Sequence, residues 1–149
     1  MDRILVVEDD RVWRQIILGG ELERAGYSVD TVTNLAEAIE KLESGSYHVV
    51  LTDISLDLEP ENYDGVKLLQ WIREKYPTIK TLAISSRPVL GFKKEFFKKR
   101  YGALEYIERK DFEPRQFLEL VAKAVRFSKE ASQRIEGNDA RNKDSYSRR

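Results

Sequence analysis

The sequence predicts an α/β fold: an open, doubly wound sheet of five parallel strands, with five helices on its two faces, forming a three-layer sandwich. Three observations predict it. Short apolar runs lack the alternation of a half-exposed strand, as expected for strands buried on both faces of a parallel sheet. Stretches with helical periodicity separate each run from the next, and right-handed crossovers then place helices on both faces. The alternation ends after about 125 residues, whereas an eight-unit barrel needs roughly twice that length.

The elements follow in order. Ile-Leu-Val-Val at 4–7 is the first strand. Val12, Ile16, Ile17 and Leu22 mark the first helix, which the Ala25-Gly26 pair closes with glycine in a left-handed cap. Residues 29–32 form the second strand. Asn34 followed by Glu37 reads as a capping box, and Leu35, Ile39 and Leu42 form the stripe of the second helix. Residues 49–51 form the third strand. Val66, Leu69 and Ile72 give a third helix stopped by Pro77. Residues 82–84 are the fourth strand, and Phe92, Phe96 and Phe97 mark a fourth helix. Residues 104–107 are a weaker fifth strand, followed by a helix carrying Phe117, Leu118, Val121 and Val125.

Composition narrows the chemistry. The 149 residues carry 26 Lys plus Arg against 26 Asp plus Glu, so net charge offers no general attraction to nucleic acid or anionic membrane. With no cysteine and one histidine, His48, disulfides, a thiolate nucleophile and Cys- or His-rich metal sites are excluded. The first apolar run is far shorter than a signal-peptide core or the roughly 20 residues of a membrane span, so a cytoplasmic chain is expected. Residues 1–128 read as one domain. In 129–149 only Ala131, Ile135, Ala140 and Tyr146 are apolar. The last helix is expected to end near Ile135, with a disordered polar tail beyond Gly137.

In an open parallel sheet the functional crevice lies at the carboxyl ends of the strands, where strand order reverses. Strand one ends in Glu8-Asp9-Asp10 and strand three in Asp53. Acids at a helix start complement the helix dipole and need no further role. In a flavodoxin-like order, 2-1-3-4-5, however, strands one and three are neighbours, so the two acidic groups converge. Crowded carboxylates repel unless a hard divalent cation compensates, and magnesium, which completes its shell with phosphate oxygens, points to phosphoryl chemistry. There is no GxxxxGK[ST] or GxGxxG motif for a nucleotide. Strand four ends in Ser85-Ser86, and Arg109-Lys110 follow strand five, supplying a hydroxyl and a cation at the same edge.

With these stretches in place, ILVVEDD, VVLTDISL, DGVKLLQWIRE, TLAISS, YGALEYI and KDFEPRQFLELV, the chain resembles the receiver domain of two-component response regulators from residue 3 to about 127. The resemblance implies that Glu8 and Asp9 hold magnesium with Asp53, and that Ser55 adds its backbone carbonyl. It implies that Asp53 accepts the phosphoryl group, that Ser85 and Tyr106 are the switch pair, and that Lys110 is the family lysine. Three departures accompany it. Asp53 and Gly65 are twelve apart, so 57–63 reads as an insertion, with Asp57, Glu59 and Glu61 decorating the rim. Arg109, not Lys110, stands at the usual offset from Gly102. Lys110 is chosen because Asp-Phe-Glu-Pro follows it and a point-like ammonium suits the role. Ser86 stands where a smaller residue is usual.

The implied function is a single-domain receiver. It would take a phosphoryl group on Asp53 from a histidine kinase or phosphotransfer protein with magnesium, then signal through the face of helix four, strand five and helix five. It would not be an enzyme beyond self-phosphorylation from small donors and slow loss of its own phosphate. Lys93, Lys94, Lys98, Lys99 and Arg100 make that face basic. A protein target is favoured over nucleic acid, no membrane partner is expected, and homodimerisation is left open. A degenerate receiver acting without phosphorylation is the alternative. An aspartyl phosphatase is disfavoured, since Ser55 stands where its second acid is needed.

Overall fold

The computed structural model describes residues 2–54, 64–85, 95 and 98–147, with backbone only at 64 and 138–147. The sheet-forming runs lengthen slightly at their ends. Strands β1 (Arg3–Val7), β2 (Ser28–Val32), β3 (Val49–Asp53), β4 (Lys80–Ser85) and β5 (Glu105–Glu108) make one parallel sheet in the order β2-β1-β3-β4-β5. This is the flavodoxin-like arrangement expected.

Burial on both sides explains the unalternated runs. Ile4, Val6, Val49 and Leu51 face one side of the sheet with Leu82, Phe117 and Val121. Leu5, Val7 and Val50 face the other with Leu42, Leu68 and Ile72. Successive residues of β1 thus feed opposite helical layers, and each fully buried aliphatic side chain contributes about 1.5–3 kcal/mol.

A π-helical stretch, Val12–Leu18, runs directly into α1 (Gly19–Arg24). Gly26 takes φ 96° after it, and the Tyr27 amide returns to the Leu22 carbonyl at 3.1 Å, closing the helix as expected. Helix α2 (Leu35–Ser44) opens on Asn34, whose Oδ1 accepts from the Glu37 amide at 2.9 Å. The reciprocal bond of this cap lands one residue early, because Glu37 accepts from the Thr33 amide rather than that of Asn34. Helix α3 (Asp64–Lys75) ends before Pro77. Helical backbone at residue 95 and over 98–101 belongs to α4; Phe92, Phe96, Phe97, Lys93 and Lys94 lie outside the described residues, as do Ser55, Ser86 and the insertion at 57–63.

Helix α5 (Pro114–Ser147) begins on Glu113, whose carboxylate accepts from the Gln116 amide at 2.9 Å. Instead of ending near Ile135 and giving way to a tail, its helical backbone continues to Ser147. No proline interrupts it after Pro114, and Gly137 subtracts only about 1 kcal/mol of helix propensity. Residues 133–137 are all exposed, so this part of α5 rests on propensity rather than packing. Among the described residues, no helix is long and apolar enough to cross a membrane.

Candidate functional site

Strand register assembles the acids. Val7 pairs with Thr52 and Asp53 with Ile84, so the chain leaving β1 emerges beside the end of β3. Glu8 and Asp53 are almost fully buried, at 1% and 3% exposure, and Asp9 is exposed. One carboxylate oxygen from each of the three lies within 4.8 Å of the others. The backbone of this loop is fixed by Arg14, which donates to the Glu8 carbonyl at 2.9 Å and the Asp9 carbonyl at 3.2 Å. The third acid of the run does something else. Asp10 Oδ1 accepts from the amides of Val12 and Trp13 at 2.9 and 3.1 Å, so it caps the following helix while its neighbours face the sheet edge.

The cation at this edge is Arg109. Its guanidinium contacts Glu8 Oε1 and lies 3.5 Å from Asp53 Oδ2, with only 17% of the side chain exposed. Lys110, chosen from the sequence, is 64% exposed and pairs with Glu108 at 3.4 Å. The structure therefore places the neighbouring residue at the position anticipated for Lys110. The reason is geometric. Strand β5 ends at Glu108 without a bulge and a 3₁₀ turn, Arg109–Asp111, follows. Successive side chains of such a turn diverge by about 120°, so only one of the pair can reach inward. The offset from Gly102 carried this signal in the sequence. Trp13, which stacks on Arg109, carried none.

The electrostatics follow from burial. Loss of hydration, together with the charge of Asp53, pushes the Glu8 carboxyl up from its ordinary 4.5 to about 7, although its contacts with Arg109 and the Asp10 amide oppose this. Between pH 4.5 and about 7 the folded chain holds a proton that the unfolded chain has released. Stability of the metal-free protein therefore falls as pH rises through that window and levels above about 7, a loss on the order of 3 kcal/mol. Thermal melts in chelator across pH 4–8 should show this slope, and Glu8→Gln should flatten it; a slope unchanged in that variant would assign it to other groups.

At the β4 end, Ser85 is buried and its side chain hydrogen-bonds the Tyr106 hydroxyl. Burial raises the Tyr106 phenol above its ordinary 10, with the Ser85 bond opposing. Tyr106 is thus already turned inward, packed with Leu69, Ala83 and Ala103. On the neighbouring helix, Lys98 pairs with Glu105 at 3.4 Å and Glu95 at 3.6 Å. Arg73 of α3 donates to the Lys99 and Arg100 carbonyls at 3.3 and 3.0 Å, tying α3 to α4.

The donor set suits a hard divalent cation. All three acids offer oxygen, and Glu8 Oε2 is a buried carboxylate oxygen with no hydrogen-bond donor among the described residues. A cation is the simplest way to satisfy such an atom.

Comparison with known proteins places this architecture. The family model for the response regulator receiver domain matches residues 4–122. The transcriptional regulatory protein BasR of Escherichia coli (strain K12) is 38% identical over 89 residues, covering 59% of this chain and 37% of BasR. The response regulator receiver protein CpdR of Brucella abortus (strain 2308) is 38% identical over 85 residues, covering 57% of this chain and 67% of CpdR. The match thus spans little more than a third of BasR. Among solved structures, the response regulator protein TrrA of Thermotoga maritima, in complex with Mg(2+)-BeF, superposes with a TM-score of 0.68 at 30% identity, covering 83% of this chain and 99% of TrrA. Sheet order, the acids at the strand ends and a family match that spans the whole sheet agree: the chain belongs to the response regulator receiver domains, the phosphoacceptor signalling modules of two-component systems.

Proposed function

We propose that this receiver accepts a phosphoryl group on Asp53 from a phosphohistidine of a sensor kinase or phosphotransfer protein, in a magnesium-dependent reaction in the cytoplasm. The signal would pass through the face of α4, β5 and α5 to a protein target. The observation that carries the reading is the buried Asp53 carboxylate grouped with Glu8 and Asp9, beside a Glu8 oxygen that lacks any donor among the described residues. The TrrA structure, which holds Mg(2+)-BeF, supports it by likeness. Residues 1–128 would be the receiver unit, and 129–149 an appendage to it.

In the transfer, an Asp53 oxygen attacks phosphorus in line, the N–P bond breaks, and its electron pair returns to the imidazole of the donor. Glu8, Asp9 and Asp53, with the Ser55 carbonyl that the family resemblance implies, would hold Mg2+, which would supply neutralisation of negative charge in the reaction. Arg109 takes the part read for Lys110, donating to a phosphoryl oxygen from the position it now holds against Asp53. The product adds nearly two negative charges and new acceptor oxygens. Ser85 would then exchange its bond to Tyr106 for one to the phosphoryl group, and Tyr106 would transmit the exchange to β5.

A second reading has one observation in its favour. Arg109 pairs with Glu8 and lies 3.5 Å from Asp53, as suits a degenerate receiver that binds its partner without phosphorylation. The two readings separate in one experiment. Incubation with acetyl phosphate and Mg2+ should add a single phosphoryl mass to the intact chain, and EDTA should abolish it. No adduct with any donor would favour the phosphorylation-independent module.

A further inference from the structure

The π-helical stretch Val12–Leu18 has no part in the chemistry above. π-helical turns are rare and frequently lie at functional sites. Here the Gly19 amide donates to the Arg14 carbonyl, five residues back, and a Cβ on Gly19 would stand 2.7 Å from that oxygen. Glycine is what lets the turn close. The first turn of this stretch carries Trp13, whose amide is held by Asp10 at the end of the acid run.

Trp13 meets the cation of the site. The Arg109 Cζ lies 4.8 Å from the Trp13 ring centroid. Phe112 braces the indole edge-on, at 5.4 Å and 85°, and Phe117 of the core packs on Phe112 at 5.1 Å. Arg109 Nε is buried and has no hydrogen-bond acceptor among the described residues. A buried donor without an acceptor is unfavourable, and the electron-rich face of Trp13 lies beside this guanidinium.

We propose that Trp13 is a positioning residue: its indole, braced by Phe112, clamps the Arg109 guanidinium against Glu8 and Asp53, so that Arg109 is the resident cation an incoming divalent ion must compete with. The clamp stands on contacts among the chain's own residues, while the competition rests on the reading of Glu8, Asp9 and Asp53 as a cation site. A flexible ammonium would yield to an ion easily. A planar guanidinium held between an aromatic face and two carboxylates yields less.

The test uses the full chain and three variants, Trp13→Leu, Trp13→Phe and Arg109→Gln, with two readouts. The first is the Arg109 Nε–H resonance in nitrogen-correlated NMR, identified by its loss in Arg109→Gln. In the parent chain it should be shifted upfield by the indole ring current and protected from exchange. Trp13→Leu should lose both properties and Trp13→Phe should keep part of each. The second is calorimetric titration with Mg2+, where Trp13→Leu should bind about fivefold tighter and Arg109→Gln at least about tenfold tighter, following the strength of a desolvated cation–π contact. An Nε–H signal unchanged in Trp13→Leu overturns the clamp. A changed signal with Mg2+ affinity unchanged in both Trp13→Leu and Arg109→Gln overturns the competition. No Mg2+ binding in any chain sinks the cation-site reading and the competition with it, while the NMR arm still decides the clamp. If Trp13→Leu fails to fold, the graded response of Trp13→Phe decides it.

Discussion

Asp53→Asn is expected to eliminate the phosphorylated form altogether and, in the same chain, to make the metal-free protein more stable. The first effect is chemical. The amide offers no anionic oxygen for attack on phosphorus, and among the described residues no other acid combines the burial of Asp53 with Glu8 and Asp9 at its side. The second is electrostatic. Asp53 is one of the two causes that drive the Glu8 carboxyl up to about 7, and its removal leaves Arg109 to satisfy Glu8 alone. A gain on the order of 1 kcal/mol at neutral pH should follow. Intact mass after treatment with acetyl phosphate and Mg2+ reads the first effect, and denaturant melts in chelator read the second. An adduct that persists in the variant would put the acceptor elsewhere. A loss of stability would mean that the Asp53 pairing with Arg109 outweighs its repulsion of Glu8.

Gly65→Ala should be the most damaging methyl group added to any described glycine. A Cβ there would lie 2.1 Å from the Asp53 carbonyl oxygen, 2.6 Å from Ile54 Cα and 2.7 Å from the Ile54 carbonyl oxygen. All three are backbone atoms, so no side-chain end can swing aside. Either α3 lifts from the sheet, uncovering Leu68 and Ile72, or the end of β3 twists and carries Asp53 with it. A loss of about 2–4 kcal/mol is expected. Phosphoryl uptake should fall roughly a hundredfold, as displacement of a reacting group by about 1 Å commonly does. Thermal melts and the rate of mass gain measure these together. Gly137→Ala is the control, since nothing lies within 4 Å of that position. Its melting temperature should hold or rise.

Much of this was legible in the sequence because burial on both faces writes itself into composition. The run at 4–7 has no polar residue to alternate with, and the two cores explain why. Glu8, Asp9 and Asp53 were legible for a related reason: a buried strand must end, and the residues just past its end meet at one edge of the sheet. The choice between Arg109 and Lys110 was not, since it depends on the rotation of one 3₁₀ turn, which neighbouring residues of the same charge do not reveal. Trp13 was invisible because its partner lies across the fold and no local pattern announces a cation–π contact. The helical backbone of α5 runs past the end expected from the polar composition of residues 129–149. Low hydrophobicity weakens the signal of a buried stripe, but helix propensity and the lack of proline remain.

The contact between Arg109 and Glu8 joins positions 101 residues apart, which bears on how the chain matures. Synthesis delivers Glu8 and Asp53 long before Arg109, so a nascent sheet lacking β5 would bring two carboxylates together without the guanidinium that pairs with them. Docking of the final strand and its turn removes that repulsion in one step. Completion of the fold is thereby favoured over pausing at a partly assembled sheet, and the turn that follows β5 carries the charge that rewards docking of that strand.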